Sequence, residues 1–172
     1  MLKYTICFIK QDDRILLLNR NAPAWMGKWN GVGGKLEPGE SPTESVIREV
    51  LEETGIRLQR QDVSYKGIVS WTVDGQPSGG MYAYTAELPS TVRVETPLNT
   101  EEGILDWKEL SWIMHPDNKG IADNVPAFLP VMLQDRHYYD HRCIFDNGMM
   151  TGFVSVPMED ESPYAVELKQ YT

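Results

Sequence analysis

Residues 34–56 read GKLEPGESPTESVIREVLEETGI, and no other stretch of the chain restricts the fold so tightly. A glycine-bearing turn with Glu37 and Glu40 leads into a run that carries the signals of a short, well-bounded helix. Ser41 is a good N-cap and Pro42 suits the first helical position. Glu44 stands three residues after the cap, where its carboxylate can reach back to the cap N–H. Gly55 supplies the left-handed residue on which such helices end. The spacing predicts a helix over 42–54.

At about 100° per residue, Glu49, Glu52 and Glu53 fall within about 100° of arc. Val46, Ile47, Val50, Leu51 and Thr54 take the neighbouring face, which can pack on a sheet. Like charges at i, i+4 destabilise a helix, and a purely structural helix would more often mix its signs. The bland reading is a solvated acidic helix with a good cap. The functional reading is that a cation offsets the repulsion. Oxygen-only ligands then point to a hard divalent ion, Mg²⁺ or Mn²⁺. Arg48 flanks the stripe and can orient a carboxylate through its planar fork.

At these residues the chain resembles the Nudix box: a glycine, five residues, a glutamate, seven residues, then R-E-U-x-E-E-x-G-U with U aliphatic. Gly34, Glu40, Arg48, Glu49, Val50, Glu52, Glu53, Gly55 and Ile56 fill every defined position. The resemblance implies the Nudix fold, an α/β architecture with a mixed β-sheet sandwiched between helices and a loop-helix-loop catalytic motif. It implies Mg²⁺, with Mn²⁺ possible, held by Glu49, Glu52 and Glu53, with the Gly33 carbonyl as a backbone ligand. Catalysis would fall to Glu53 or Glu49 as the base, flanked by Arg48. Gly34 and Lys35 would meet the substrate phosphates.

The remaining chain reads as strands over 4–9, 14–19, 63–73, 81–88 and 104–107, with a loop over 74–80 and a terminal hairpin over 142–156. A short helix or turn is expected over 108–114, and a helix over 126–134. Arg20 ends the second strand beside the glycine loop, either as a solvated strand-end residue or as a phosphate contact. Asn30 has an amide that both donates and accepts, suited to a purine edge or to a local backbone bond. Its Trp-Asn-Gly-x-Gly-Gly-Lys setting resembles the MutT-like oxidised-purine nucleoside triphosphatases, in which an Asn at this position contacts the base. Those proteins carry an acidic pair where this chain has Asp123 and Asn124. Asp123 is thereby a candidate base contact, while Asn124 reads as a helix cap. Glu101 and Glu102 are surface charges or, by resemblance, an extra acid that ligates metal or helps the water.

The net charge of −9 argues against a broad footprint for duplex nucleic acid. It leaves room for an anionic nucleotide, because a bound metal reverses the local field. The only cysteines are Cys7 and Cys143, far apart and without metal spacing, which fits a reducing, cytoplasmic setting. Neither a signal peptide nor a membrane-length apolar run is expected. The expected organisation is a single domain over 1–158 with a polar tail over 159–172, as a monomer or homodimer. The expected function is Mg-dependent hydrolysis of a pyrophosphate bond in a nucleoside triphosphate, with 8-oxo-dGTP as a candidate. Alternatives are a pyrophosphohydrolase of ADP-ribose, dinucleotides or RNA 5′ ends, and a non-catalytic nucleotide-sensing module.

Overall fold

The computed structural model describes residues 2–159, so all but the first residue of the expected tail lies outside the described residues. Strands β1 (Tyr4–Gln11) and β2 (Arg14–Arg20) form an antiparallel hairpin. They read as almost continuous apolar runs because both faces of this part of the sheet are covered. Cys7, Ile9, Leu16 and Leu18 enter one core, and Ile6, Phe8, Ile15 and Leu17 enter the other.

The chain continues through β3 (Trp29–Asn30), α1 (Pro42–Thr54), β4 (Val63–Val73), β5 (Gln76–Glu87), β6 (Leu98–Thr100) and β7 (Gly103–Glu109). It ends with α2 (Leu110–Ile113), α3 (Val125–Gln134), β8 (Tyr139–Asp146) and β9 (Met149–Pro157). The nine strands make one mixed sheet in the order β6-β7-β2-β1-β5-β4-β8-β9, with β3 paired to β2. The pairs β1–β5 and β4–β8 are parallel. Helix α1 packs Val46 and Val50 on one face, and α3 packs Phe128, Leu129 and Met132 on the other. This is the expected mixed sheet between helices.

Helix α1 has the bounds and caps read from the sequence. The Ser41 Oγ accepts from the Glu44 N–H at 3.3 Å, and the Glu44 carboxylate accepts from the Ser41 N–H at 2.9 Å. Gly55 closes it at φ 74°. These two ends fix where the carboxylates of the last two turns emerge.

Three expectations are corrected. The loop over 74–80 is a two-residue turn, Asp74 at φ 49° and Gly75 at φ 76°, after which β5 begins at once. An Asp-Gly pair of this kind matches the twist of a hairpin, and it outweighs the Pro and Gly residues that follow. Gly79 is a strand residue there because the Trp71 ring lies on it, 2.9 Å from where a Cβ would stand. Second, β3 and β6 are strands of two and three residues held by main-chain pairing to β2 and β7, too short to leave a pattern. Third, Asn124 does not cap α3 through its side chain. Its backbone is already helical, and its amide turns instead to the Cys143 thiol.

Candidate active site

A cavity of about 680 Å³ opens along the sheet between α1, the loop around β3 and the start of α3. Glu49 and Glu53 of α1, Arg20 at the end of β2, and Glu102 just before β7 line one part of it. Asn30, Asn124, Trp71 and Phe145 line another.

The glycine loop brings bare backbone up to the acidic helix. A Cβ on Gly33, which sits at φ 152°, would overlap the Thr5 carbonyl, and a Cβ on Gly34 would overlap the Glu49 carboxylate. At Gly33, where the clash is with main chain and φ is positive, only glycine allows this approach; at Gly34 a side chain would displace the Glu49 carboxylate. The Gly33 N–H donates to the Glu53 carboxylate at 2.9 Å. Glu53 is 8% exposed, and burial pushes its carboxyl up to about 8. The Gly33 N–H and Arg20 pull the other way, while Glu49 and Glu102 raise it further. Burial also raises Glu49, against the nearby Arg48 guanidinium.

Arg48 holds the helix to the loop. Its Nε and Nη2 donate to the Glu40 carboxylate at 2.7 and 2.9 Å, and Nη2 also donates to the Lys35 carbonyl at 3.1 Å. Its Nη1 donates to Glu49 at 2.9 Å and to Glu52 at 3.1 Å. These bonds hold the Glu40 carboxyl below the usual range. The guanidinium is therefore engaged outside the cavity, and Arg20 is the cation that acts on Glu53. The Arg20 Nε is buried without a partner among the described residues.

The other expected site residues divide cleanly. Lys35, Gly33 and Gly34 line the cavity, and so does Glu102, whereas Glu101 is exposed and not in its wall. The Glu52 side chain is 58% exposed, paired to Arg48 and away from the cavity lining. Among the described residues no three His, Cys, Asp or Glu side chains gather closely enough to hold a metal ion. The donor set that faces the cavity is nonetheless all oxygen, with Glu53 buried beside other carboxylates. A hard divalent cation fits it, because such an ion offsets both the burial that chiefly raises Glu53 and the smaller repulsion from Glu49 and Glu102.

Asn30 is buried, and its Oδ1 accepts from the Gly31 N–H at 2.8 Å. Asp123 does not reach the cavity: its carboxylate lies 3.1 Å from the Lys28 Nζ. The next residue, Asn124, is 4% exposed and lines the cavity with an Oδ1 that has no partner among the described residues. The aromatic wall of Trp25, Trp71 and Phe145 was not among the expected site residues; the Trp25 and Phe145 rings lie 6.0 Å apart. Alternation along β4 and β8 was the available signal. It is interrupted at Trp71 by a bulge against β5.

A model of the NUDIX domain matches residues 2–128. The chain is 32% identical over 114 residues to a Nudix hydrolase of Bacillus subtilis, YvcI, covering 66% of this chain and 69% of that protein. It is 29% identical over 140 residues to the oxidized purine nucleoside triphosphate hydrolase of Mus musculus, covering 80% and 83%. Among solved structures, the MutT protein of Bacillus halodurans superposes with a TM-score of 0.70 at 25% identity, covering 90% of this chain and 97% of that one.

Proposed function

The chain belongs to the Nudix family and is a Nudix hydrolase, and on that premise we propose that it hydrolyses a pyrophosphate bond of a nucleoside triphosphate. The products are a nucleoside monophosphate and pyrophosphate, and an oxidised purine nucleotide such as 8-oxo-dGTP is the leading candidate substrate. One observation carries the reading: a single cavity joins the carboxylates Glu49 and Glu53 to two buried amides, Asn30 and Asn124. The first pair suits a phosphate-bound cation, and the second suits the edge of a base. The name of the mouse relative supports the purine assignment.

Nudix hydrolases use divalent metal ions, and Mg²⁺ is the ion proposed here. Glu49 and Glu53 would hold it, with Glu102 and the Gly33 carbonyl as further oxygen donors; Glu52 would join them only on leaving Arg48, which holds it outside the cavity. When bound, such an ion neutralises phosphate charge and lowers the pKa of water. The protein's own groups do the rest. Glu53 takes the water proton on the carboxylate oxygen that the Gly33 N–H leaves unengaged, with Glu49 as the second candidate base. Arg48 fixes the Glu49 carboxylate in place. Arg20 and Lys35 bind phosphate oxygens, and the bare backbone at Gly34 lets a phosphate approach closely. Asn30 reads the base, and the Trp25, Trp71 and Phe145 wall excludes water around it. The proposed domain runs to residue 158 and works in the cytoplasm. No helix among the described residues is long and apolar enough to cross a membrane.

A substrate panel tests this reading. Normal and oxidised nucleoside triphosphates, ADP-ribose, a dinucleoside polyphosphate and a 5′-triphosphate RNA are each incubated with Mg²⁺, and the products are identified. Release of pyrophosphate from an oxidised purine triphosphate at the highest kcat/KM supports it. Faster cleavage of ADP-ribose or of the RNA end replaces it with the corresponding pyrophosphohydrolase.

A further inference from the structure

We propose that Lys28 and Asp123 form a clasp that sets the distance between Asn30 and Asn124 across the cavity, which makes both of them positioning residues for the nucleobase. The inference rests on the cavity being the nucleotide site. Its starting point is the placement of Asp123, which faces Lys28 rather than the cavity.

The Lys28 Nζ lies 3.1 Å from the Asp123 carboxylate and also donates to the Lys119 carbonyl at 2.7 Å. Between these side chains the two segments meet through main chain. The Trp29 N–H donates to the Gly120 carbonyl at 2.8 Å, and the Ala122 N–H donates to the Trp29 carbonyl at 2.9 Å. On the other side of the seam, the Lys108 Nζ sits 4.2 Å from the Trp29 ring centroid. Asn30 follows Trp29 directly, and Asn124 lies two residues beyond Ala122.

Each amide is tied at one end. The Asn30 Oδ1 takes the Gly31 N–H. The Asn124 side chain bonds the Cys143 thiol, which leaves its Oδ1 buried and unpartnered. What remains for a base is a donor from one segment and an acceptor from the other. Hydrogen bonds weaken steeply when their angles are lost, so a slip of one segment past the other degrades both contacts at once. The slip is opposed by two main-chain bonds and by the ion pair. Gly27, at φ 77°, adds little stiffness on the amino-terminal side of the segment. Side-chain exposures of 29% and 45% place the pair at the surface, where it contributes little to global stability. Its effect is therefore on register rather than on folding.

The experiment uses the full chain with Lys28→Glu, Asp123→Lys and the doubly exchanged variant. Steady-state kinetics are measured on the preferred purine triphosphate and on a pyrimidine triphosphate. Amide exchange is measured at Trp29 and Ala122, which needs no substrate. Each single variant places like charges together and is expected to raise KM for the purine roughly two- to fivefold, with a smaller change in kcat. Exchange at the two amides becomes faster than in wild type, and the double variant restores both readouts. Unchanged exchange in the single variants overturns the clasp. Faster exchange together with a more than tenfold purine loss that the double variant fails to restore overturns the positioning role, because Asp123 would then be touching the base. If wild type hydrolyses none of the triphosphates while exchange responds as expected, the nucleotide reading fails and the base-positioning role falls with it, although the clasp itself stands.

Discussion

At the acidic end of the cavity, Glu49 and Glu53 come from successive turns of one helix, and their placement follows from that helix's own caps. At the amide end, Asn30 and Asn124 come from segments distant in the chain, placed by a seam of two main-chain bonds and an ion pair. The acidic end is charged and internally repulsive, with Glu53 pushed up to about 8 by burial and by its neighbours. The amide end is neutral and half satisfied, each amide having one group tied to protein. The acidic end, proposed to bind a cation, is thus built from local sequence under electrostatic tension. The amide end, proposed to discriminate one base from another, is built from tertiary contacts whose geometry can be tuned without touching the chemistry. The two ends should respond differently to perturbation, and the size of the response should fall from the first to the second.

The largest effect is expected from removing metal. Excess chelator should abolish hydrolysis, and added Mg²⁺ should restore it, because the carboxylates cannot neutralise phosphate charge by themselves. Turnover that persists undiminished in chelator would remove the cation from the acidic end altogether.

Next comes Glu53→Gln. The amide keeps an acceptor for the Gly33 N–H but loses the ligand charge and the proton acceptor. A fall in kcat of about 10²-fold or more is expected, with an unchanged thermal midpoint or a raised one, since the cost of burying a carboxyl that ionises readily in the unfolded chain disappears. Near wild-type kcat in the folded variant would show that Glu53 is neither base nor essential ligand.

The difference between the ends also explains what could be read from residues alone. Caps, helix bounds and the carboxylate stripe are local rules acting at fixed spacing, so α1 and the faces of β1 and β2 were legible. The amide end was legible only in part. Asn30 stood out through its glycine-rich setting, but whether Asp123 or Asn124 enters the cavity depends on which of them finds Lys28 and which finds Cys143. Those partners lie on β8 and beside β3, beyond any local pattern. Glu52 shows the same limit on α1 itself: it shares the acidic stripe, yet Arg48 turns it outward. The hairpin at Asp74-Gly75 is different again: its turn signal is local and present, but Pro77, Gly79 and Gly80 after it are residues that strands usually avoid.

A moderate effect is expected at the amide end. Asn30→Ala should lower kcat/KM for the preferred purine by about 1–3 kcal/mol, because the base then leaves a hydrogen-bonding group unpaired in a buried site. A pyrimidine triphosphate should lose much less. Equal losses on both substrates would mean that Asn30 supports the loop rather than reads the base, since its Oδ1 also accepts from Gly31.

The smallest effect on activity, and the sharpest separation of structure from chemistry, is expected from Ser41→Ala. The Ser41 hydroxyl accepts one of the helix's otherwise unpaired N–H groups, and it touches neither the carboxylates nor the amides. Its loss should lower stability by about 1 kcal/mol, as for other caps of this type. For a domain of this size that corresponds to a drop of about 2–4 °C in the thermal midpoint. Activity below the transition should be nearly unchanged, because Arg48 still ties α1 to Glu40 and to the Lys35 carbonyl. A loss of kcat comparable to that of Glu53→Gln would show that the Arg48 tie does not suffice to hold the carboxylates, and that the acidic end depends on the first turn of its helix.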